Sequence, residues 1–221
     1  MILLASPPSE FGGTVGFDFT ASSRTPLGLG KPRYPVDVLS ALVSSLCASP
    51  NQRAMKPTEE HEAAWQAFAQ VMRFNSSAVK YLQISELDEF PVADKRGRKM
   101  IDGWKINWEG KIPPEWDNGN GSMHGAQSAW LVDVCTSAAI LLHTTDEFWG
   151  PPLRAGVSLN INMTYYHPAI IGTDILVEVE VLKCSATTAN LSCNILEKGT
   201  RKLLASGTHL KAWRPINRSK M

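Results

Sequence analysis

Between Met123 and His143 the chain reads HGAQSAWLVDVCTSAAILL, and this run carries one charged residue, Asp133. A helix that is apolar on nearly all sides is a buried helix. A buried carboxylate is costly unless something compensates it, and such groups gather at functional sites. Just upstream stands His124-Gly125, where the helix would begin. Free backbone N–H groups and the positive end of the helix dipole collect there, and glycine lets a ligand approach the backbone closely. Such a turn can act as an oxyanion hole, an amide aimed at a carbonyl oxygen that becomes negative. Asp133 follows Gly125 by eight residues, roughly 12 Å along the axis at 1.5 Å per residue. One carbonyl group cannot touch both on the same helix. The two roles meet only if a second copy of the helix lies antiparallel to the first, which requires at least a dimer.

The elements around this helix follow from periodicity. Residues 1–34, rich in Ser, Thr, Gly and Pro, read as an irregular arm, and Val36–Leu46 as a short amphipathic helix. Thr58 can cap a better helix whose first turn is acidic and whose apolar stripe is Ala64, Trp65, Phe68, Val71 and Met72, ending near Asn75. Tyr81–Leu87 and Met100–Trp108 read as strands joined by a turn containing Lys95–Lys99 (KRGRK), a solvated hairpin tip in preference to a nucleic-acid patch. Residues 110–122 read as a loop delivering the chain to the buried helix. Four strand-like runs follow: Ala155–Tyr166, Asp174–Cys184, Thr187–Leu196 and Leu203–Trp213. Val177–Val181 (VEVEV) alternates with period two, and the short intervening loops suit hairpins and a meander. The expected fold is α+β: an antiparallel sheet wrapped around one long central helix, with an N-terminal helical and irregular extension. The expected division is an extension at 1–55, a main domain with a leading helix at 56–215, and a tail at 216–221.

Composition narrows the function classes. The 221 residues are 43% hydrophobic with a net charge of +1, which gives neither nucleic acid nor an anionic membrane a reason to be the main partner. Cys47, Cys135, Cys184 and Cys193 form no Cys-x-x-Cys and no zinc-like spacing, so no metal is expected and the thiols read as reduced. No run approaches the ~20 apolar residues of a membrane span. The start, MILLASPPSE, lacks the basic region of a secretory signal. A cytoplasmic location is expected. A mitochondrial one is the alternative, opposed by Glu10 and Asp18 preceding the first arginine, Arg24.

Taken together, Asn118…His124-Gly125-Ala126…Asp133, followed by Gly156–Ala169 (GVSLNINMTYYHPA), closely resemble the hotdog-fold acyl-CoA thioesterases, in particular the PaaI-like branch and its thioesterase superfamily member 2 group. The resemblance runs from about Tyr81 to Trp213, and Gly172–Ile175 and Ala205–His209 also look familial. It implies that Asp133 is the general base or nucleophile and that the Gly125 N–H polarises the thioester carbonyl. It further implies that His124 supports that turn, that Asn118 orients water or holds the carbonyl, and that Ser158 hydrogen-bonds near Asp133. The family motif usually reads His-Gly-Gly, whereas this chain has His-Gly-Ala. The implied substrate is an acyl-CoA, with no resident cofactor, and the implied assembly is a dimer or a dimer of dimers. Lys183, Lys198, Arg201, Lys202 and Lys211 are candidates for a basic rim around the CoA phosphates. Trp130, His167 and His209 read as structural. The alternatives are a hotdog hydratase or dehydratase, and a non-catalytic acyl-CoA-binding or regulatory protein.

Overall fold

The computed structural model describes residues 53–95, 99–143 and 155–213, all within the compact unit Cys47–Met221. The expected arm, the helix at 36–46, most of the basic turn and the tail at 216–221 lie outside the described residues. In chain order the elements are β1 (Ala54–Met55), α1 (Glu59–Met72), a 3-10 turn at Ser76–Tyr81, β2 (Leu82–Asp88), β3 (Lys105–Lys111), a 3-10 turn at Pro114–Trp116, α2 (Gly125–Leu141), β4 (Val157–Tyr165), β5 (Asp174–Cys184), β6 (Thr188–Glu197) and β7 (Leu203–Ala212). The strands form one sheet in the order β1-β2-β3-β5-β6-β7-β4, and every pairing is antiparallel.

The helix α2 packs on the inner face of this sheet. It has no polar side, and Leu131, Val132, Val134, Cys135, Ala139 and Ile140 are fully buried. Against it stand Ile106 and Trp108 of β3, Ile175, Val177, Val179 and Val181 of β5, and Leu191, Cys193 and Ile195 of β6. Their spacing of two is that of a sheet with one buried face. Contact with β7 is closest at Gly207. A Cβ built there would lie 2.8 Å from Val132 Cγ2 and from Met163 Sδ, so only glycine admits the helix at this distance.

The leading helix α1 covers the far end of the core. Thr58 Oγ1 accepts from His61 N–H while His61 Nδ1 accepts from Thr58 N–H, a reciprocal cap over a first turn carrying Glu59, Glu60 and Glu62. Trp65 is buried, its ring 5.5 Å from that of Trp108, and its Nε1 donates to Leu82 O. Burial of a side chain this size contributes about 2–3 kcal/mol. Glu62 accepts from Ile84 N–H at 2.8 Å. The expected apolar stripe is only partly right: Val71 is 79% exposed, Ala64 is exposed, and the helix stops at Met72.

Two further expectations require correction. The strand placed at Met100–Trp108 begins at Lys105. Asp102-Gly103 makes a turn instead, with Gly103 at φ 79° and Trp104 N–H donating to Ile101 O. The Asp102 carboxylate accepts from Cys184 N–H and Lys183 Nζ, so Ile101 and Trp104 reach the core from a turn. β3 then runs to Lys111, into the segment expected to be a loop. The meander holds for β5, β6 and β7, whereas β4 lies at the sheet edge beside β7. Three strand spacings separate β4 from β5, roughly 14 Å, and the connection His167–Thr173 is long enough to cross them. It is tied down by Met123 N–H to Ala169 O and by Gly172 N–H to Ile112 O.

Candidate active site

At the helix start, His124 is the N-cap. Its Nδ1 accepts from Ala126 N–H at 3.0 Å, and its carbonyl accepts from Gln127 N–H and Ser128 N–H. The cap thus uses the amides that follow Gly125 and leaves the Gly125 N–H outside its reach. Tyr165 O–H donates to Gly125 O at 2.9 Å, fixing the same peptide from the strand side. Gly125 and Asn118 line one cleft of about 370 Å³ with Met123, Tyr166 and His167. Asn118 is committed locally: its Nδ2 donates to Ser122 Oγ at 3.0 Å and its Oδ1 accepts from Asn120 N–H at 2.8 Å. A ligand at this cleft would meet an Asn already held by its own turn.

Asp133 lies two turns along α2, and its surroundings differ from the expectation. Its side chain is 43% exposed, so within one protomer the carboxylate is not buried. Ser158 Oγ donates to Asp133 Oδ1 at 3.2 Å. Strict alternation along β4 would not allow this contact. Ile161 and Met163 face the core, and counting back by twos puts Ser158 on the opposite side. The β4–β7 register supplies the reason: Ser158 pairs with Lys211 but Asn160 pairs with Leu210, so Leu159 is an extra residue in the strand. This bulge turns Ser158 inward to face Asp133, a known use of bulges beside functional sites.

Two side chains of β7 complete the group. His209 is fully buried; its Nδ1 is 2.5 Å from Thr136 Oγ1 and its Nε2 is 3.7 Å from Asp133 Oδ1. Thr136 donates its hydroxyl proton to Val132 O at 2.6 Å. The Nδ1 of His209 must therefore carry the hydrogen, leaving Nε2 as an acceptor facing Asp133. Burial, then the nearby Lys211 ammonium, hold His209 down at about 4, against the pull of Asp133. Lys211 is only 2% exposed. Its Nζ donates to Ser137 Oγ at 2.8 Å and reaches Ser158 Oγ at 3.5 Å. Burial lowers it to about 8, with Asp133 opposing.

The full burial of His209 fits the structural role expected for it, whereas Lys211, expected on a phosphate-binding rim, is buried beside Ser137. The signal for their placement was parity: Gly207, His209 and Lys211 alternate with exposed Thr208 and Leu210. Of the other rim candidates, Lys183 pairs with Asp102, Lys198 with Glu109 and Arg201 with Glu178, and none of the five lines the cleft. The structure therefore brings Asp133 and Ser158 together in one cluster and Gly125 and Asn118 in another, while His124, next to Gly125 in the chain, lines a separate cleft with Gln127 and Trp130. Among the described residues no group of three His, Cys, Asp or Glu could hold a metal ion, and no helix is long and apolar enough to cross a membrane.

A seven-stranded antiparallel sheet curved around one apolar helix, with a capped Gly turn at the helix start and a carboxylate in its middle, defines a hotdog-fold protein of the thioesterase type. A family model described as the thioesterase superfamily matches residues 120–204. The human acyl-coenzyme A thioesterase 13 is 39% identical over 107 residues, 48% of this chain and 71% of that protein. The crystal structure of zebra fish thioesterase superfamily member 2 superposes with a TM-score of 0.52 at 27% identity, covering 68% of this chain and 94% of that one. The Mus musculus thioesterase superfamily member 2 gives 0.50 at 28% identity, covering 68% and 96%. The chain belongs to the thioesterase superfamily.

Proposed function

We propose that the protein hydrolyses acyl-CoA thioesters to a free acid and coenzyme A. The observation that carries this reading is the Ser158–Asp133 hydrogen bond, which sets a half-open carboxylate where a water molecule can reach it. Its human relative's name, acyl-coenzyme A thioesterase, supports the substrate class. In this reading the thioester oxygen sits on the Gly125 N–H, a donor of the kind whose loss costs about 10²–10³ in rate. Asp133 takes a proton from water as the water oxygen attacks the carbonyl carbon. The C–S bond then breaks, and the proton passes to the leaving thiolate. CoA enters as substrate, and no resident cofactor takes part. Asn118 holds the carbonyl side of the cleft and His124 holds the turn.

The same reading requires two chains. Gly125 and Asp133 lie on one helix and too far apart for one carbonyl, so Gly125 of one protomer works with Asp133 of its partner. The edge strand β4 supports this arrangement. Its outer edge is unpaired among the described strands, and Val157, Leu159 and Tyr165 on it are exposed. An open edge with apolar side chains is a template for pairing.

The test is thiol release from a panel of short, long and aryl acyl-CoA thioesters by the native protein and by Asp133→Asn. Turnover of some members, with a loss of at least about 10³-fold in kcat for the variant, is expected. A native protein that releases thiol from none of the panel would rule the reading out.

A further inference from the structure

The buried lysine beside Asp133 has no role in the scheme above. An ammonium can only donate, whereas a serine hydroxyl has one proton to give. Lys211 Nζ is anchored by Ser137 on α2 at 2.8 Å and reaches Ser158 Oγ at 3.5 Å with a second N–H. Ser158 sits directly opposite Lys211 in the β4–β7 ladder because of the bulge at Leu159. With its oxygen facing a cation, the Ser158 hydroxyl cannot turn its proton back toward Lys211, and the acceptor on its other side is Asp133 Oδ1.

We propose that Lys211 is a positioning residue: its ammonium fixes the Ser158 hydroxyl as a donor to Asp133, and so holds the carboxylate in one orientation. The inference rests on the reading of Asp133 as the catalytic base. The chain of donors runs in one direction, from Lys211 Nζ to Ser158 Oγ to Asp133 Oδ1, and needs no proton to move along it. Burying an ammonium is costly unless it is paired, and the half-exposed carboxylate across Ser158 is its counter-charge. Among the described groups that face Asp133, β7 supplies Lys211 and His209 and β4 supplies Ser158. The buried positions of β3, β5 and β6 are otherwise apolar, among them Ile106, Trp108, Val177, Val179 and Leu191, with Cys193 a neutral thiol. Lys211 is thus the one cation of that set at neutral pH, since His209 is held down at about 4. The Lys211 amine is lowered to about 8, so the positioning should fade above that pH.

Thiol release by the full chain, followed from pH 6 to pH 10, tests this with Lys211→Met, Lys211→Arg and Ser137→Ala. For Lys211→Met, kcat should fall at least about tenfold at pH 7, with KM changed less than about threefold. Lys211→Arg should recover most of kcat and lose the decline above about pH 8, because a guanidinium stays charged. Ser137→Ala, which removes only the anchor, should fall between them. Native kcat and an unchanged pH profile in Lys211→Met would overturn the proposal. A second readout does not depend on turnover. The lysine ε-carbon resonance of Lys211, assigned by its loss in Lys211→Arg, should titrate near 8 in the native protein and at lower pH in Asp133→Asn. Identical titrations would overturn the proposal even if the thioesterase reading stands. If no thioester is hydrolysed, that reading fails and the titration alone decides whether Lys211 and Asp133 are coupled.

Discussion

His209 shows how one buried side chain couples the site to the stability of the fold. It is neutral at pH 7, and burial holds it at about 4 in the folded chain against an ordinary 6.5. As pH falls below 6.5 the unfolded chain takes up the proton first. The stability contributed by this group is therefore complete above pH 6.5 and is lost as pH falls through about 4. His143, packed edge-on against Trp104 with ring centroids 4.4 Å apart and held at about 3, acts in the same direction over a wider window. Urea unfolding at pH 7 and pH 5 should show a lower midpoint at pH 5, and His209→Asn should reduce that difference. A midpoint independent of pH across this range would contradict the assignment. Glu62 and Asp88, both raised by burial, act in the opposite sense near the carboxylate range, while Glu109, lowered by its hydrogen bonds with Lys198 and Gln83, acts in the same sense.

At the scale of elements, the close contact of α2 with β7 and the bulge in β4 decide where the site residues stand. Gly207→Ala would push a methyl group into Val132 and Met163, and overpacking of this kind costs about 1–3 kcal/mol. The urea midpoint should drop accordingly, whereas Gly199→Ala, with open space around it, should stay within about 0.5 kcal/mol. Deleting Leu159 should restore regular alternation with Ser158 two places before Ile161, still facing Asp133, so kcat should fall less than it does in Ser158→Ala. A deletion variant that folds and is as inactive as Ser158→Ala would contradict this register of β4 on β7.

These same elements mark what the sequence could and could not reveal. The apolar run around Asp133 and the VEVEV alternation of β5 were legible because burial on all sides and burial on one side leave different periods. The inward parity of His209 and Lys211 is legible too, although parity alone does not say that Lys211 faces Asp133 in place of a phosphate rim. The bulge was not legible, since a single extra residue is written in the pairing of β4 with β7 and not in either strand alone. The turn at Asp102-Gly103 was hidden by flanking apolar residues that imitate a strand. The place of β4 at the edge depends on a crossing loop whose tethers, Ile112 and Met123, lie far away in the chain.

At the scale of the whole molecule, the proposed reaction places its two halves, Gly125 and Asp133, on one helix and so requires a partner chain. Asp133 reaches solvent from a single chain, and its Gly125 lies roughly 12 Å away along the axis. A second α2 running antiparallel would bring each Asp133 to the other chain's Gly125. The exposed edge of β4 gives a surface for that association, and Leu159→Lys should weaken it, lowering oligomer mass and turnover together.

Mixed dimers test this central claim most directly. Asp133→Asn and Gly125→Val chains, each inactive alone, would be co-expressed with different tags and purified as the heterodimer. Each mixed dimer then carries one site with native Gly125 and native Asp133, and one site with neither. The mixed dimer should recover about half of the native dimer's thioester turnover, as one of two sites is whole. A heterodimer as inactive as its parents would contradict a site shared between chains.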